Sequence, residues 1–414
     1  MSWTDERAWA ATRRPIGRAT GLTPALYTDP DAHELELELV YGRSWVCVAL
    51  TSELAEPGTV LARQVGARSI AVTSDVHGDI RSFVNACRHR GTELIAADCR
   101  VRGTIRCPYH RWGYGLDGAL VSTPRFTDEA LAAADAGELG LVPVRTATWG
   151  CLVFACLDPR TPPLETWLGD LPERMSGYRL GDWTIADDTD VEIAANWKLI
   201  SENFQEYYHL PWIHPSLAGV SRVEDHYRYQ GPGMYCGQTT TPVSDDDGST
   251  WLGLPPMAGL DESDVASGRF VAIFPNVLLS VLPNHAFVMR LTPAGAGVTH
   301  EHCTWLVPPA TDATHDRAEA TEGFSAVRRF WLEVNGEDIA IVQRSQRGLT
   351  TGAVPPGPLV ARFEEPLHRF HNMLADHFTS AAPADIAVPP GDPPGADEAL
   401  GGRPNPRPPA VDRV

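Results

Sequence analysis

The chain of 414 residues is long enough for two or three domains, and its hydrophobic fraction of 43% is sufficient for packed cores. Its formal net charge of −19 argues against a nucleic-acid binder, because binding to phosphates requires an excess of basic residues. No segment resembles a signal peptide or offers the apolar length of a membrane helix, so we expect a cytoplasmic protein with no membrane partner. In that compartment the eight cysteines are better candidates for metal ligation than for disulfides.

The residue pattern predicts an α+β protein built from four successive parts. These are a helical, polar N-terminal segment that packs on the larger downstream domain, a β-rich domain of short runs between Gly turns, a domain of mixed helices and strands, and a Pro/Gly-rich tail predicted to be disordered: 1–40, 41–160, 161–380 and 381–414. Within the third part we expect a helix over 199–209, strands near 270–292 and 299–307, and a long helix over 316–346.

The most specific pattern is Cys87-x-His89 followed, after 17 residues, by Cys107-x-x-His110. Two thiolates and two imidazoles suit either a structural zinc ion or an iron–sulfur cluster. Each half supplies one Cys and one His from its own tight loop, and the second loop leads into an aromatic hairpin. These two features favour the cluster.

The two segments, NACRHRGTEL and RCPYHRWGYGLDG, closely resemble the Rieske [2Fe–2S] domain. The resemblance implies that Cys87 and Cys107 bind one iron of the cluster while His89 and His110 bind the other. Neutral imidazoles in place of thiolates raise the reduction potential of such a cluster to about −150 to +300 mV. The cluster can then accept single electrons and pass them on.

Seven arginines and only two acids, Glu93 and Asp98, lie in the stretch that begins at Arg81 and ends at Arg111. The arginines have two possible roles that the sequence does not separate. They form hydrogen bonds within the domain, or they form a docking face for an acidic electron donor.

A second set of metal-binding side chains lies in NWKLISENFQEYYHLPWIHP, residues 196–215. We expect Glu202, Glu206 and His209 to share one helical face, because they are spaced at i, i+4 and i+7. Pro211 is expected to end that helix just past His209, so that His214 folds back beside it. Two histidines and one carboxylate on one face of the metal are the ligand set of mononuclear iron(II) oxygenases.

This stretch resembles the catalytic domain of Rieske-type non-haem iron oxygenases. The resemblance implies that His209 and His214 bind Fe(II), and that the third ligand comes from the pair Glu337–Asp338 with Asp338 as the ligand. It places Glu206 where the family has a carboxylate that links the two metal centres across a subunit boundary in a homotrimer. The alternative role of Glu206 is to orient His209.

Together the motifs imply the oxygenase component of a multicomponent enzyme, which uses O2 to hydroxylate a small organic substrate. The implied fold is a Rieske domain resembling a β-sandwich, followed by a helix-grip catalytic domain of antiparallel sheet and helices. No GxGxxG element follows a strand, so we expect electrons from NAD(P)H to arrive through a separate flavin and iron–sulfur reductase or a ferredoxin.

With glutamate at position 206 the chain resembles the subgroup of the family that oxidises carnitine or glycine betaine. This resemblance implies N-demethylation or C–N cleavage of a quaternary ammonium compound. An aromatic cage for the cation has five candidates near the motif: Tyr207, Tyr208, Trp212, Tyr229 and Trp251. One alternative is an aromatic-ring hydroxylating mono- or dioxygenase, with an apolar pocket built from residues 270–289. An alternative of another class is a non-catalytic Rieske electron-transfer protein.

Overall fold

The computed structural model describes residues 2–127, 129, 139–241, 254–309 and 317–406. The chain divides into two compact units, one formed by residues 41–161 and the other by residues 1–40 together with 162–414. None of the described helices combines the length and apolarity that crossing a bilayer requires.

The unit of residues 41–161 is built from antiparallel strands. A seven-stranded sheet has the order β1-β10-β9-β4-β3-β2-β5, and a smaller sheet has the order β6-β7-β8. The strands are β1 (Val46–Leu50), β2 (Thr59–Val65), β3 (Arg68–Ser74), β4 (Ile80–Val84), β5 (Cys99–Arg100), β6 (Thr104–Arg106), β7 (Gly113–Gly115), β8 (Leu120–Ser122), β9 (Pro143–Trp149) and β10 (Leu152–Cys156). Cys87 and Cys107 are part of its buried core, packed with Val60, Phe83 and Tyr114.

The other unit is organised around one antiparallel sheet of seven strands, in the order β11-β17-β16-β15-β14-β13-β12. Five consecutive strands, β13 to β17, form a meander, and β11 pairs with the last of them. The strands are β11 (Thr184–Ile193), β12 (His226–Arg228), β13 (Tyr235–Thr240), β14 (Gly268–Ile273), β15 (Val277–Val281), β16 (Ala286–Gly295) and β17 (Val298–Val307). The strands predicted near 270–292 and 299–307 are therefore present.

Helices cover this sheet and complete the predicted α+β helix-grip fold. They are α1 (Ala25–Thr28), α2 (Pro30–Leu39), α3 (Leu164–Leu168), α4 (Leu171–Arg174), α5 (Trp197–Gln205), α6 (Leu210–Ile213), α7 (Pro215–Val220), α8 (Glu262–Val265), α9 (Arg317–Leu349), α10 (Glu365–Thr379) and α11 (Ala396–Ala399). The long helix α9 packs against α5, and α5 packs on the sheet.

Helix α5 is fixed at its first turn by side chains that the sequence supplies locally and from α2. The Asn196 side chain caps the helix by accepting a hydrogen bond from the Lys198 N–H at 3.0 Å. The Lys198 ammonium is fully buried and pairs with the buried Glu36 carboxylate of α2. Glu36 also accepts a hydrogen bond from the Trp197 indole at 3.0 Å. Residue 198 is thus held on both its backbone and its side chain.

The Pro/Gly-rich segment predicted to be disordered is instead packed against the sheet unit as far as Gly402, and residues 407–414 lie outside the described part of the chain. The carbonyl of Pro390 accepts a hydrogen bond from Arg369 at 2.6 Å, and Asp397 pairs with Arg228 and Arg362. The prediction from composition was wrong because the segment does not need a hydrophobic core of its own to become ordered. It gains order by supplying carbonyls and carboxylates to arginines of the folded unit.

Candidate metal centres

The two loops that carry the predicted cluster residues have the same backbone hydrogen bonds. In the first, the Cys87 N–H donates to the Thr92 carbonyl and Gly91 donates back to Cys87, both at 2.8 Å. In the second, the Cys107 N–H donates to the Trp112 carbonyl at 2.8 Å and Arg111 donates back to Cys107 at 3.1 Å. The fifth residue of each loop is left-handed, with φ of 71° at Gly91 and 61° at Arg111. The loops are two copies of one turn.

The four side chains of these loops come together as the sequence predicts. Cys87 and Cys107 are buried free thiols, and the rings of His89 and His110 lie 4.6 Å apart between centroids. Burial opposes ionisation of Cys107, yet the Tyr109 and His110 N–H groups outweigh it, and the pKa of the thiol is lowered.

Neighbouring aromatic side chains fix the orientation of these groups. The Tyr114 hydroxyl lies 3.2 Å from Cys87 Sγ and accepts a hydrogen bond from the Arg88 N–H at 3.0 Å. The His89 ring stacks on Trp112 with centroids 4.9 Å apart. His89 Nδ1 is buried with no hydrogen-bond partner in the described residues. Two buried thiols and an orphaned imidazole nitrogen in one place fit a two-iron, two-sulfur cluster.

The second set of side chains departs from the predicted helix. Helix α5 ends at Gln205, and Glu206 is extended with φ −114° and ψ 157°. The prediction of a helix over 199–209 and of one shared face for Glu202, Glu206 and His209 was therefore wrong. Pro211 lies in the first turn of α6, so it does not end the first helix. That helix has already ended before His209, and a new helix begins at Leu210.

The Glu206 carboxylate closes the turn between the two helices. Its Oε2 accepts hydrogen bonds from the N–H groups of Tyr208 and His209 at 2.5 and 3.2 Å. Its Oε1 lies 2.5 Å from His209 Nδ1. A carboxylate accepts hydrogen bonds, so Nδ1 is the donor in this contact and Nε2, the other ring nitrogen, faces away from Glu206.

His214 is held in the same way by a residue from α9. Its Nδ1 lies 2.7 Å from Glu337 Oε2, and its Nε2 lies 3.0 Å from Asp338 Oδ1. Asp338 Oδ1 is also 3.7 Å from His209 Nε2. Two imidazole Nε2 atoms and one carboxylate oxygen thus converge, with one ligand atom from each residue within 4.8 Å of the others.

This donor set fits a mononuclear iron(II) ion. Both histidines present Nε2 to the same point, where Asp338 Oδ1 also lies, and both are oriented from behind by a carboxylate, as metal-bound histidines usually are. Three donors on one side leave the other side of the metal open. The sequence alone missed the contact of Glu337 with His214, because the pair is separated by 123 positions and Glu337 has no motif of its own.

Other candidates from the sequence lie elsewhere. Glu202 is buried and accepts hydrogen bonds from Tyr27 at 2.7 Å and from His371 at 2.9 Å. Tyr207 and Tyr229 are buried against arginine side chains, and Trp212 is 76% exposed. The proposed cage thus has no single location among the described residues, and Trp251 lies outside them.

A small cavity, open to solvent, adjoins Asp338. Its wall is formed by β11, β15, β16, α5 and α9 through Ile193, Ile200, Asn203, Phe204, Leu278, Met289, Asn335, Asp338, Ile339 and Val342. A mostly apolar cavity with a few polar groups beside a metal-binding triad is the usual form of a substrate pocket.

Two family models match the chain in succession. Residues 44–137 match the Rieske [2Fe-2S] domain, and residues 180–380 match the ring hydroxylating alpha subunit (catalytic domain). The first contains all four cluster-loop side chains, and the second contains the two histidines and the carboxylate that converge.

Curated relatives align over most of the chain. The glycine betaine monooxygenase oxygenase subunit of Chromohalobacter salexigens is 28% identical over 400 residues, which cover 88% of this chain and 87% of the relative. The carnitine monooxygenase oxygenase subunit of Escherichia coli K12 is 28% identical over 364 residues, 85% of this chain and 92% of the relative. A crystal structure of the quaternary ammonium Rieske monooxygenase CntA shares the fold, with a TM-score of 0.71, 24% identity and coverage of 90% of this chain and 98% of that one.

Proposed function

The chain is a Rieske-type non-haem iron oxygenase, the oxygenase (alpha) subunit of its system, and we propose that its substrate is a small quaternary ammonium compound. One atom of O2 would be inserted into a C–H bond beside the charged nitrogen. The other atom would be reduced to water by two electrons and two protons. The C–N bond of the hydroxylated carbon then breaks: its electron pair stays on nitrogen, the hydroxyl proton is released, and the products are a carbonyl compound and a tertiary amine. The names of the two relatives and glutamate at position 206 support this substrate class.

We propose His209, His214 and Asp338 as the iron(II) ligands, and the observation that carries this is the convergence of one donor atom from each of them within 4.8 Å of the others. Iron(II) at this position supplies O2 activation, and the cluster supplies a further electron. Glu206 and Glu337 act as positioning residues, because each holds the rear nitrogen of one histidine and leaves its Nε2 for the metal.

We propose Cys87, His89, Cys107 and His110 as the cluster ligands, with Tyr114 and Trp112 holding Cys87 and His89 in place. The experiment is iron analysis combined with the electron paramagnetic resonance spectrum of the reduced protein. Purified protein should contain two cluster irons and one mononuclear iron per chain. His214→Ala should lose only the mononuclear iron, and Cys107→Ala should lose the cluster spectrum. A complete iron content in His214→Ala would refute the assignment.

The exposed arginines of the cluster domain provide a candidate surface for the electron donor, which we propose to be an NAD(P)H-dependent flavin and iron–sulfur reductase or a ferredoxin. Arg102 and Arg106 are exposed, whereas Arg81 is occupied by Asp75 and Asp79. Charge reversal of Arg102 and Arg106 should slow cluster reduction by the donor and weaken its salt dependence. Arg7→Glu, in the other unit, is the control, and equal rates in both variants would exclude this surface.

We also propose that the active form is a homotrimer in which Glu206 links the iron site of one chain to the cluster of the next. The molar mass of the protein in solution, measured by light scattering, shows whether three chains assemble. The functional link is tested by mixing Cys107→Ala and His214→Ala subunits. If electrons cross between chains, mixed trimers recover activity that neither variant has alone. No recovery in mixed trimers would place both centres of a working pair in one chain.

Reconstitution with a ferredoxin and its reductase tests the substrate class. We expect O2 uptake coupled to formaldehyde or another carbonyl product with betaines, and not with arenes. The apolar composition of the cavity wall favours one competing function, aromatic-ring hydroxylation. Formation of a cis-diol from an arene, with no turnover of any betaine, would establish that competitor.

A further inference from the structure

Among the described residues of the helix-grip unit, one buried carboxylate has no cationic partner. Four acids of the described residues are buried, namely Glu36, Glu202, Glu301 and Asp397. Three of them face a basic side chain: Glu36 faces Lys198, Glu202 faces His371, and Asp397 faces Arg228. Glu301 is fully buried, its hydrogen-bond partners Asn335 and Cys303 are neutral, and the nearby Asp338 carboxylate adds a charge of the same sign that raises its pKa further. Because a buried charge without compensation is costly, this exception requires an explanation.

The hydrogen bonds of Glu301 use one of its two oxygens. Oε1 accepts from the Asn335 amide at 2.7 Å and from the Cys303 thiol at 3.2 Å. Oε2 is buried and has no partner in the described residues. Burial raises the pKa of Glu301, and the hydrogen bonds from Asn335 and Cys303 oppose that rise. A positive charge nearby would stabilise the ionised carboxylate.

Glu301 lies on the side of the sheet that faces the cavity. In the antiparallel register it is opposite Leu291 of β16, two positions from Met289, which lines the cavity. Its hydrogen-bond donor Asn335 lines the cavity as well, one helical turn before Asp338. Glu301 is therefore one hydrogen bond behind the cavity wall, and its charge acts through a medium that screens it far less than water does.

Aromatic rings continue from this wall into the interior. Phe204 lines the cavity and lies 6.5 Å from Phe270, which lies 6.4 Å from Trp331. Phe287 then contacts Trp331 at 5.2 Å and Trp305 at 4.9 Å between ring centroids. Aromatic faces attract cations, above all those too weakly hydrated to need water. A carboxylate one hydrogen bond behind the cavity wall and an aromatic ring on that wall, Phe204, are groups that a methylated ammonium would favour.

We propose that Glu301 determines substrate charge in this enzyme: it is the buried counter-ion that makes the cavity prefer a quaternary ammonium group over a neutral group of the same shape. This inference rests on the proposed substrate class and adds the residue that selects it. Asn335 connects Glu301 to the cavity, because its side-chain amide donates a hydrogen bond to Glu301 and the residue also lines the cavity.

The test compares each ammonium compound with its carbon isostere by equilibrium binding to the iron-loaded protein without O2. The pairs are glycine betaine with 3,3-dimethylbutanoate and choline with 3,3-dimethylbutanol. We expect wild-type protein to bind the ammonium member at least about tenfold more tightly. Glu301→Gln keeps the shape and both hydrogen bonds and should remove most of that preference. Glu301→Asp should retain part of it.

Glu192→Gln is the matched control, because Glu192 lies on β11 of the same sheet and is 70% exposed in its side chain. It should leave the preference unchanged. Equal binding of both members of each pair to wild type, or an equal preference in Glu301→Gln, would overturn the proposal. If Glu301→Gln does not fold, the wild-type comparison and Glu301→Asp still decide it. Absence of the charge preference in wild-type protein, with intact iron content and O2 uptake, refutes only this inference, whereas absence of mononuclear iron from wild-type protein refutes the proposed function.

Discussion

Glu337 and Asp338 are neighbours in sequence, yet they contact opposite nitrogens of one histidine. Glu337 Oε2 lies 2.7 Å from His214 Nδ1, while Asp338 Oδ1 lies 3.0 Å from His214 Nε2. A single turn of α9 thus supplies both the proposed metal ligand and the group that orients the ligand beside it.

We expect Glu337→Ala to weaken metal binding at the mononuclear site by about 10- to 100-fold, because His214 loses the contact that fixes its ring. Titration of the apo site with Fe(II), followed by metal analysis, measures this. The cluster spectrum should stay unchanged. Glu333→Ala, one turn earlier and exposed with only a 3.5 Å contact to Ser216, is the control. Unaltered affinity in Glu337→Ala would show that the contact has no role in binding.

The left-handed residues of the cluster loops predict opposite effects of two substitutions. Arg111→Gly should stabilise the protein by about 1 kcal/mol, because a residue with a Cβ is strained at positive φ. Gly91→Ala should destabilise it by a similar amount, and a Cβ at Gly91 would touch nothing within 4 Å, so backbone strain alone is tested. Urea unfolding followed by the cluster absorbance measures both. Gly348→Ala, in α9, should instead stabilise slightly.

The buried Glu36–Lys198 pair should be far more sensitive to loss of one partner than of both. Lys198→Met leaves Glu36 buried without its counter-charge and should cost about 3–5 kcal/mol in unfolding free energy. The double variant Glu36→Leu with Lys198→Met should recover much of that loss. A double-mutant cycle by urea unfolding gives the coupling. A double variant no more stable than Lys198→Met would contradict this account.

His285 should make the protein less stable as the pH falls. Burial lowers its pKa to about 3, and the neutral ring accepts a hydrogen bond from the Trp331 indole at 2.8 Å. The unfolded chain, with a pKa near 6.5, binds a proton first, so stability is complete above about pH 6.5 and decreases below it. Between pH 7 and 5 the loss should be about 2 kcal/mol. His285→Gln should lack this component, and parallel pH profiles of the two proteins would argue against it.

Local patterns predicted the parts of the site that are local. The two Cys/His loops, the meander strands and α9 follow from short spacings and from periodicity within one element. The early end of α5 was missed because the turn at Glu206 competes with the helix, and its strength depends on contacts with His209. The burial of Glu301 could not be predicted from the sequence either. A charged residue inside a strand is normally exposed, and the burial of Glu301 depends on its contact with α9.

The turn at Glu206 also limits what that carboxylate can still do. A carboxylate offers about four lone-pair directions, and three are occupied by the two backbone N–H groups and the His209 ring. One acceptor direction is left unused by these three contacts. In the proposed homotrimer, a histidine of the neighbouring chain would have to use this direction if the three bonds that shape the turn are to stay intact.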